Sequence, residues 1–294
     1  MEAKVAQSLP FSSWVDLEKI TRKPSSSLQF FQGHGERKKL QILISCDLQP
    51  RRSAKWHRPV AFDVSCSCQK FPARILESGN FPASFDEVMI LKNKSEETEP
   101  YLNGRCLYLV GMMGSGKTTV GRILSEALGY SFFDSDTLIE QTVGANSVAE
   151  IFNAYGESCF RDNETEVLRK LSLMHRLVVS TGGGAVMRPI NWKYMNKGIS
   201  VWLDVPLEAL ARRIAAVGTK TRPLLHNESG DAYTKTFKRL STLLEERGDA
   251  YANANARVSL ESIAAKLGYR DVCNLTPAAI AIEVLIQIES FLKN

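Results

Sequence analysis

Short apolar runs alternate with longer segments of helical periodicity from residue 105 onward. The apolar runs are RCLYLVG, SFFDSD, LVVSTGG and SVWLDV, and the amphipathic segments include TTVGRILSEALG, SVAEIFNAYGESCFRDNETEVLRKLS and PLEALARRIAAV. Short apolar strands separated by helices of about ten residues or more are typical of βαβ units. The pattern therefore predicts an α/β fold with a parallel sheet flanked by helices, and ligands at the carboxyl ends of its strands.

The segments on either side of this pattern are less regular. In residues 66–104, the stretch FDEVMILKNKSEETEP suggests a short amphipathic segment followed by a charged linker that contains helix breakers. In the C-terminal extension 268–294, apolar residues recur at helical spacing, namely Ile280, Val284, Leu285 and Ile288. We therefore expect an N-terminal extension or linker over 66–104 and a main domain over 105–294 that ends in a core helix.

The composition is that of a globular protein, with 44% hydrophobic and 23% charged residues. No apolar run approaches the roughly 18 residues needed to span a bilayer. The best candidate, PAAIAIEVLIQI, is flanked by polar residues and is interrupted by Glu283. The six cysteines include no C-x-x-C pair and predict no zinc site. We expect no membrane partner.

The net charge of +5 is concentrated at the N-terminus. Residues 1–60 hold 11 Lys and Arg against 5 Asp and Glu, whereas the remaining 234 residues hold 26 against 27. This basic, serine-rich leader lacks an apolar signal core, which is typical of an organelle transit peptide and leaves a disordered basic tail as the alternative. We assign residues 1–65 as a disordered transit peptide, and we expect no nucleic-acid partner because the rest of the chain is close to neutral.

A phosphate-binding motif follows the first apolar run. GMMGSGKT fits G-x-x-x-x-G-K-[ST] between a predicted strand and a predicted helix. Its backbone N–H groups suit phosphate oxygens, the lysine suits the β- and γ-phosphates, and the final hydroxyl suits Mg²⁺. The motif predicts binding of a nucleoside triphosphate, with ATP as our choice, by Gly111, Met112, Met113, Gly114, Ser115, Gly116, Lys117 and Thr118.

Two carboxylates end the second apolar run, FFDSD. Asp134 and Asp136 stand two residues apart, and in strand geometry both would share one face over the phosphate loop. Phosphoryl transfer uses one carboxylate near the attacking hydroxyl and one near the metal. The pair therefore predicts one carboxylate beside Mg²⁺ with Thr118, for which we choose Asp134, and one beside the acceptor. A second interpretation, that DSD forms a turn and the N-cap of the next helix, does not exclude the first.

Arginines and glycines supply the other candidates. Arg161 lies in a long amphipathic segment, TGGGA ends the third strand, and Arg247 lies near the end of a later helix. For Arg247, an interaction with the dipole at the helix C-terminus is as compatible with the sequence as a role in binding. The polar loop TKTRPLLHNESGD, with Arg222, predicts a mobile lid.

The motifs GMMGSGKT, FFDSD, FRDNE, TGGGA, RPLL and EERGDAY, in this order and spacing, resemble those of shikimate kinases over roughly residues 105–275, and the basic leader resembles that of the plastid form from plants. The resemblance implies a P-loop kinase fold similar to nucleoside-monophosphate kinases, with a five-stranded parallel sheet and a mobile lid. It also implies ATP- and Mg²⁺-dependent phosphorylation of the 3-hydroxyl of shikimate in the chloroplast stroma, by a monomer or weak homodimer.

The resemblance also implies roles for single residues. Asp136 would bind the substrate hydroxyls and act as the base, while Arg161 and Arg247 would bind the substrate carboxylate. The backbone of Gly182, Gly183 and Gly184 would close the site. Lys117 and Arg222 would contact the phosphates as catalytic residues, and Arg213 would lie near the adenine.

Two other functions remain open. A P-loop kinase for another hydroxylated acceptor, such as gluconate or a nucleotide, would keep the phosphate loop but would not explain TGGGA and FRDNE. An inactive kinase-like plastid regulatory protein would be expected to have lost Lys117, Asp136 or Arg161, all of which are present.

Overall fold

A computed structural model describes residues 84–217 and 231–293, together with the backbone of two short strands. These strands, β1 (Lys38–Leu40) and β2 (Phe62–Val64), pair antiparallel. Most of the expected transit peptide, and the expected lid with Arg222, lie outside the described residues. Within the described part, no helix combines the length and the apolar character needed to cross a bilayer.

A five-stranded parallel sheet forms the centre of the domain, as predicted. Its strands are β3 (Leu107–Val110), β4 (Ser131–Asp134), β5 (Leu177–Ser180), β6 (Ile199–Asp204) and β7 (Ala256–Ser259), in the order β4-β5-β3-β6-β7. After β3 the chain continues to β4 on one side of the sheet, and after the neighbouring strand β5 it continues to β6 on the other side. Such a switch point opens a crevice at the carboxyl ends of the strands, where ligands bind.

Helices flank the sheet. Their bounds are α1 (Phe85–Leu102), α2 (Lys117–Leu128), α3 (Ser135–Val143), α4 (Val148–Leu171), α5 (Pro189–Met195), α6 (Leu207–Val217), α7 (Ala232–Tyr251), α8 (Leu260–Lys266) and α9 (Pro277–Lys293). Short 3₁₀ turns span Ala185–Met187 and Val272–Asn274. The four apolar residues that predicted a core helix in the C-terminal extension are buried on α9.

The expected linker before residue 104 is wrong, because α1 continues through it to Leu102. Ser84 and Glu87 form a capping box that fixes the start of this helix. Its buried side chains, Leu91 among them, pack against α9, and Lys94 pairs with Glu289 at 3.0 Å. Packing on α9 therefore outweighs the helix-breaking tendency of Pro100. The local sequence alone does not reveal this packing.

Leu91 provides a test of how much α1 contributes to the core. Leu91 is 1% exposed, whereas its neighbour Ile90 is 50% exposed. Leu91→Ala is expected to lower the free energy of unfolding by roughly 2–5 kcal/mol, because it removes buried methyl groups and leaves a cavity. Ile90→Ala is the matched control and should change stability by less than about 0.5 kcal/mol. Equal denaturant midpoints for the two variants would show that α1 does not share the core of the domain.

Candidate functional site

The phosphate loop connects β3 to α2, in the strand–loop–helix context that the motif requires. At Gly111 the backbone has φ +144°, and a Cβ there would stand 2.7 Å from the carbonyl oxygen of Leu203. Only glycine is therefore tolerated at the start of the loop. At the other end, α2 begins without a side-chain cap and without an acidic residue in its first turn. The positive end of the helix dipole thus remains available to an anion.

Lys117 is held inside the loop. Its Nζ donates to the carbonyl oxygens of Gly111 at 2.7 Å and Met112 at 2.8 Å, and it lies 3.3 Å from Ser115 Oγ. The residue is only 8% exposed. A nearly buried ammonium group at the mouth of a phosphate loop fits a highly charged ligand, because a phosphate would compensate its lost hydration.

Hydroxyl and carboxylate oxygens meet beside the loop. Thr118 Oγ1 donates to Asp134 Oδ2 at 2.8 Å and lies 3.3 Å from Ser180 Oγ. Among the described residues there is no cluster of three His, Cys, Asp or Glu side chains that could cage a metal. Mg²⁺ uses few protein oxygens and retains waters and phosphate ligands, so this small donor set fits it. Ser180 is a further candidate that the sequence reading missed.

The two aspartates do not share one strand, which corrects the prediction. β4 ends at Asp134, and Asp136 lies in the first turn of α3. Asp134 Oδ1 accepts the backbone N–H of Asp136 at 3.1 Å, so Asp134 is the N-cap. Both side chains nevertheless line the same cavity, so the capping role and a place in the site coexist.

Asp136 has the most unusual environment of the site. Its Oδ1 is buried and has no hydrogen-bond partner among the residues that the structure describes. Burial, together with repulsion from Asp134 and Glu164, raises the pKa of Asp136 to about 7, although Lys117 and Arg161 oppose the shift. A carboxyl group with such a pKa can take up a proton near neutral pH, which suits a general base.

The glycine run after β5 brings backbone against these carboxylates. Gly182 donates its N–H to Ser135 Oγ at 3.0 Å. A Cβ on Gly182 would stand 2.5 Å from Asp136 Oδ1 and 2.9 Å from Glu164 Oε1. A Cβ on Gly184 would overlap the guanidinium of Arg161. Gly182 and Gly184 are therefore required for close approach, so the run is more than a flexible turn.

Arg161 is fixed by two carboxylates on its own helix, α4. Its Nη1 donates to both oxygens of Glu164, at 3.0 and 3.2 Å, and its Nε and Nη2 donate to Glu157. The Glu164 side chain is 0% exposed and that of Glu157 is 55% exposed, so Glu164 is the rigid anchor. The sequence reading missed Glu164, although its spacing of three residues from Arg161 was a usable signal.

Arg247 belongs to the site and not to the helix end. It lies a full turn before the end of α7 at Tyr251, it is 6% exposed, and it lines the same cavity. The dipole interpretation is therefore not supported. Arg213 lies on α6 with its Nη1 3.4 Å from the carbonyl oxygen of Gly114, next to the phosphate loop but outside this cavity.

One cavity of about 430 Å³ joins these groups at the switch point of the sheet. Its lining includes Lys117 and part of the phosphate loop, the carboxylates Asp134 and Asp136, and the guanidinium groups of Arg161 and Arg247. Phe152 and Phe160, with ring centroids 5.0 Å apart, line it as well and were not predicted. A cavity lined by a lysine, two arginines, an apolar wall and a buried carboxyl oxygen fits two anionic ligands that meet at a hydroxyl group.

Comparisons with known proteins show which chains this one is similar to. A profile described as shikimate kinase matches residues 113–288. The chain is 66% identical over 293 residues to the chloroplastic shikimate kinase of Solanum lycopersicum, covering 100% of this chain and 97% of the relative. It is 59% identical to the chloroplastic shikimate kinase 1 of Arabidopsis thaliana, with 100% and 96% covered. A solved structure of the Acinetobacter baumannii shikimate kinase in complex with shikimate matches with a TM-score of 0.53 and 34% identity, covering 65% of this chain and 95% of that one.

Proposed function

This chain belongs to the shikimate kinase family, and from that premise we propose that it transfers the γ-phosphoryl group of ATP to the 3-hydroxyl of shikimate. The products are ADP and shikimate 3-phosphate, an intermediate on the route to chorismate and the aromatic amino acids. ATP is the phosphate donor throughout the family. The protein acts in the chloroplast, as the names of its full-length relatives indicate.

The unpartnered Oδ1 of Asp136 carries this proposal. It is a buried acceptor in a cavity that is also lined by the lysine of the phosphate loop and by two arginines. A buried carboxylate oxygen without a donor is costly, and a substrate hydroxyl would supply the missing hydrogen bond. Shikimate carries both a ring of hydroxyls and a carboxylate, so it matches both features.

In the proposed reaction, Asp136 accepts the proton of the 3-hydroxyl of shikimate while the oxygen of that hydroxyl attacks the γ-phosphorus of ATP. The bond between the γ-phosphorus and the oxygen that bridges it to the β-phosphate breaks, and ADP leaves. Lys117 stabilises the charge that develops on the phosphoryl oxygens. The backbone amides of the loop and the start of α2 hold the remaining phosphates. Bound Mg²⁺, with Thr118 and Asp134 as the residues that would hold it, would neutralise charge on the β- and γ-phosphates.

Arg161 and Arg247 bind the substrate carboxylate in this scheme. Two nearly buried guanidinium groups offer planar pairs of N–H donors, which suit a carboxylate better than ammonium groups do. The glycine run 182–184 closes the pocket against the substrate ring. Arg213 is proposed to lie near the adenine and Arg222 to contact the phosphates, the latter being outside the described residues.

Arg161→Lys separates acceptor binding from nucleotide binding. The lysine keeps the charge but loses the bidentate fork, so we expect KM for shikimate to rise by about tenfold while KM for ATP stays nearly constant. Arg169→Lys is the matched control, since Arg169 lies on the same helix but pairs with Glu166 at the protein surface. Initial rates at varied shikimate and ATP test this. An increase confined to KM for ATP would move Arg161 into the nucleotide site.

Residues 1–65 are proposed as the plastid transit peptide, 66–104 as an extension and 105–294 as the kinase domain. Deletion of residues 1–65 should leave kcat and KM unchanged and abolish import into isolated chloroplasts, because every proposed site residue lies beyond residue 105. Loss of turnover in a truncated protein with an unchanged circular dichroism spectrum would contradict this division.

A panel of acceptors tests the proposed function. ADP release is measured with shikimate, quinate, gluconate and nucleoside monophosphates at equal concentrations. Shikimate should be the preferred acceptor, because it combines a carboxylate for the two arginines with hydroxyl groups for Asp136. Preference for gluconate or a nucleotide would favour another P-loop kinase activity, and no turnover with any acceptor would favour an inactive regulatory protein. A monomer or weak homodimer remains our prediction for the oligomeric state.

A further inference from the structure

Tyr251, at the end of α7, is fully buried and its hydroxyl connects two parts of the site. The hydroxyl donates to the carbonyl oxygen of Gly183 at 2.5 Å and lies 3.5 Å from Met112 Sδ in the phosphate loop. The ring stacks on Trp202 of β6, with centroids 5.8 Å apart. Burial raises the pKa of Tyr251 to about 12, so the hydroxyl stays protonated and remains a donor.

Gly183 lines the cavity beside the phosphate loop and Arg247. A Cβ on Gly183 would stand 3.4 Å from Met113 N, 3.6 Å from Gly111 O and 3.8 Å from Arg247 Nη1. Gly183 is therefore adjacent to both the phosphate loop and Arg247. Its carbonyl oxygen is the atom that Tyr251 holds.

We propose that Tyr251 is a positioning residue, which fixes the Gly183 carbonyl and thereby keeps Arg247 available to the substrate carboxylate. Tyr251 and Arg247 are four residues apart on α7, so both project from the same side of the helix. Without the hydroxyl, the carbonyl oxygen loses this donor, and the guanidinium of Arg247, which lies beside Gly183 and also interacts with the Tyr251 side chain, is a cation that can replace it. A guanidinium recruited by that carbonyl is withdrawn from the substrate.

The test is Tyr251→Phe, which removes the hydroxyl and keeps the ring. We expect KM for shikimate to rise about tenfold, as for one lost buried hydrogen bond, with KM for ATP changed less than about twofold. Tyr108→Phe is the matched control, because Tyr108 on β3 is also fully buried but its hydroxyl has no hydrogen-bond partner. That variant should leave both KM values unchanged.

Trp202→Phe separates positioning from stability, because it weakens the stacking and keeps the Tyr251 hydroxyl. It should lower the melting temperature without raising KM for shikimate. If Tyr251→Phe is too unstable at 25 °C, the same kinetics are measured in the cold with sucrose, which favours the folded state. Wild-type KM for shikimate in Tyr251→Phe, or an equal increase in Tyr108→Phe or Trp202→Phe, would overturn the proposal.

This inference rests on the proposed function, and the assay distinguishes their failures. If the wild-type chain releases no ADP with shikimate, the function itself is wrong. If the wild-type chain turns over and Tyr251→Phe behaves in the same way, only the role of Tyr251 is wrong.

Discussion

Lys117→Ala is expected to lower kcat by about 10²-fold or more, the range typical of a lost electrostatic contact to a transition state. The reason is the position of the ammonium group, which is almost buried and hydrogen-bonded to the carbonyl oxygens of Gly111 and Met112 at the mouth of the loop. Phosphoryl transfer places developing charge on oxygens that this group would contact. Alanine leaves those oxygens without that cation.

Steady-state rates at saturating shikimate and ATP measure this loss. Lys92→Ala is the control, since Lys92 lies on the exposed side of α1 and forms only a long contact of 3.9 Å with Glu96. The melting temperature of each variant is recorded, so that collapse of the loop is not mistaken for lost chemistry. A kcat within about threefold of wild type for a folded Lys117→Ala protein would contradict the assignment of the phosphate loop.

Asp136→Asn is expected to lower kcat by about 10²–10⁴-fold, the usual contribution of a general base. Asparagine has nearly the same size and can still accept a hydrogen bond from a substrate hydroxyl, so KM for shikimate should change much less. The buried Oδ1, which has no partner within the described part of the chain, and the pKa of about 7 support the proposed role of this carboxyl group as the proton acceptor.

Asp162→Asn makes the same chemical change on α4, where Asp162 pairs with Arg188 on the protein surface, and should be silent. Pre-steady-state rates of phosphoryl transfer are the preferred measurement for Asp136→Asn, because slow product release can hide a loss in the chemical step. An increase in KM for shikimate at constant kcat would make Asp136 a binding residue and leave the reaction without a base.

The sequence predicted the parallel sheet and the phosphate loop because both depend on local patterns. Apolar runs and the spacing of glycine and lysine are visible in a few neighbouring residues. β7 was not found as a strand, since ARVS is short and places Arg257 on the sheet, where its guanidinium lies 4.7 Å from the Trp202 ring. The contacts that hold this strand come from distant residues, which local periodicity does not contain.

The site shows the same limit. Arg161 was identified from its motif, but the anchor Glu164 and the wall residues Phe152 and Phe160 were not, because their roles depend on burial. The prediction that Asp136 lies on a strand is wrong for a specific reason. β4 ends at Asp134, whose side chain accepts the backbone N–H of Asp136 and so caps α3, which begins at Ser135. A change from strand to helix within two residues alters the direction of the side chain.

The most direct test of the proposed reaction is to identify the product by nuclear magnetic resonance. The chain is incubated with ATP, Mg²⁺ and shikimate, with parallel samples containing gluconate or a nucleoside monophosphate. The expected result is one new phosphate ester, whose phosphorus couples to the proton on C3 of shikimate, with one ADP formed per ester and no ester in the parallel samples. An ester on another hydroxyl, or ADP formation without an ester, would contradict the arrangement of Asp136, Arg161 and Arg247 around the substrate.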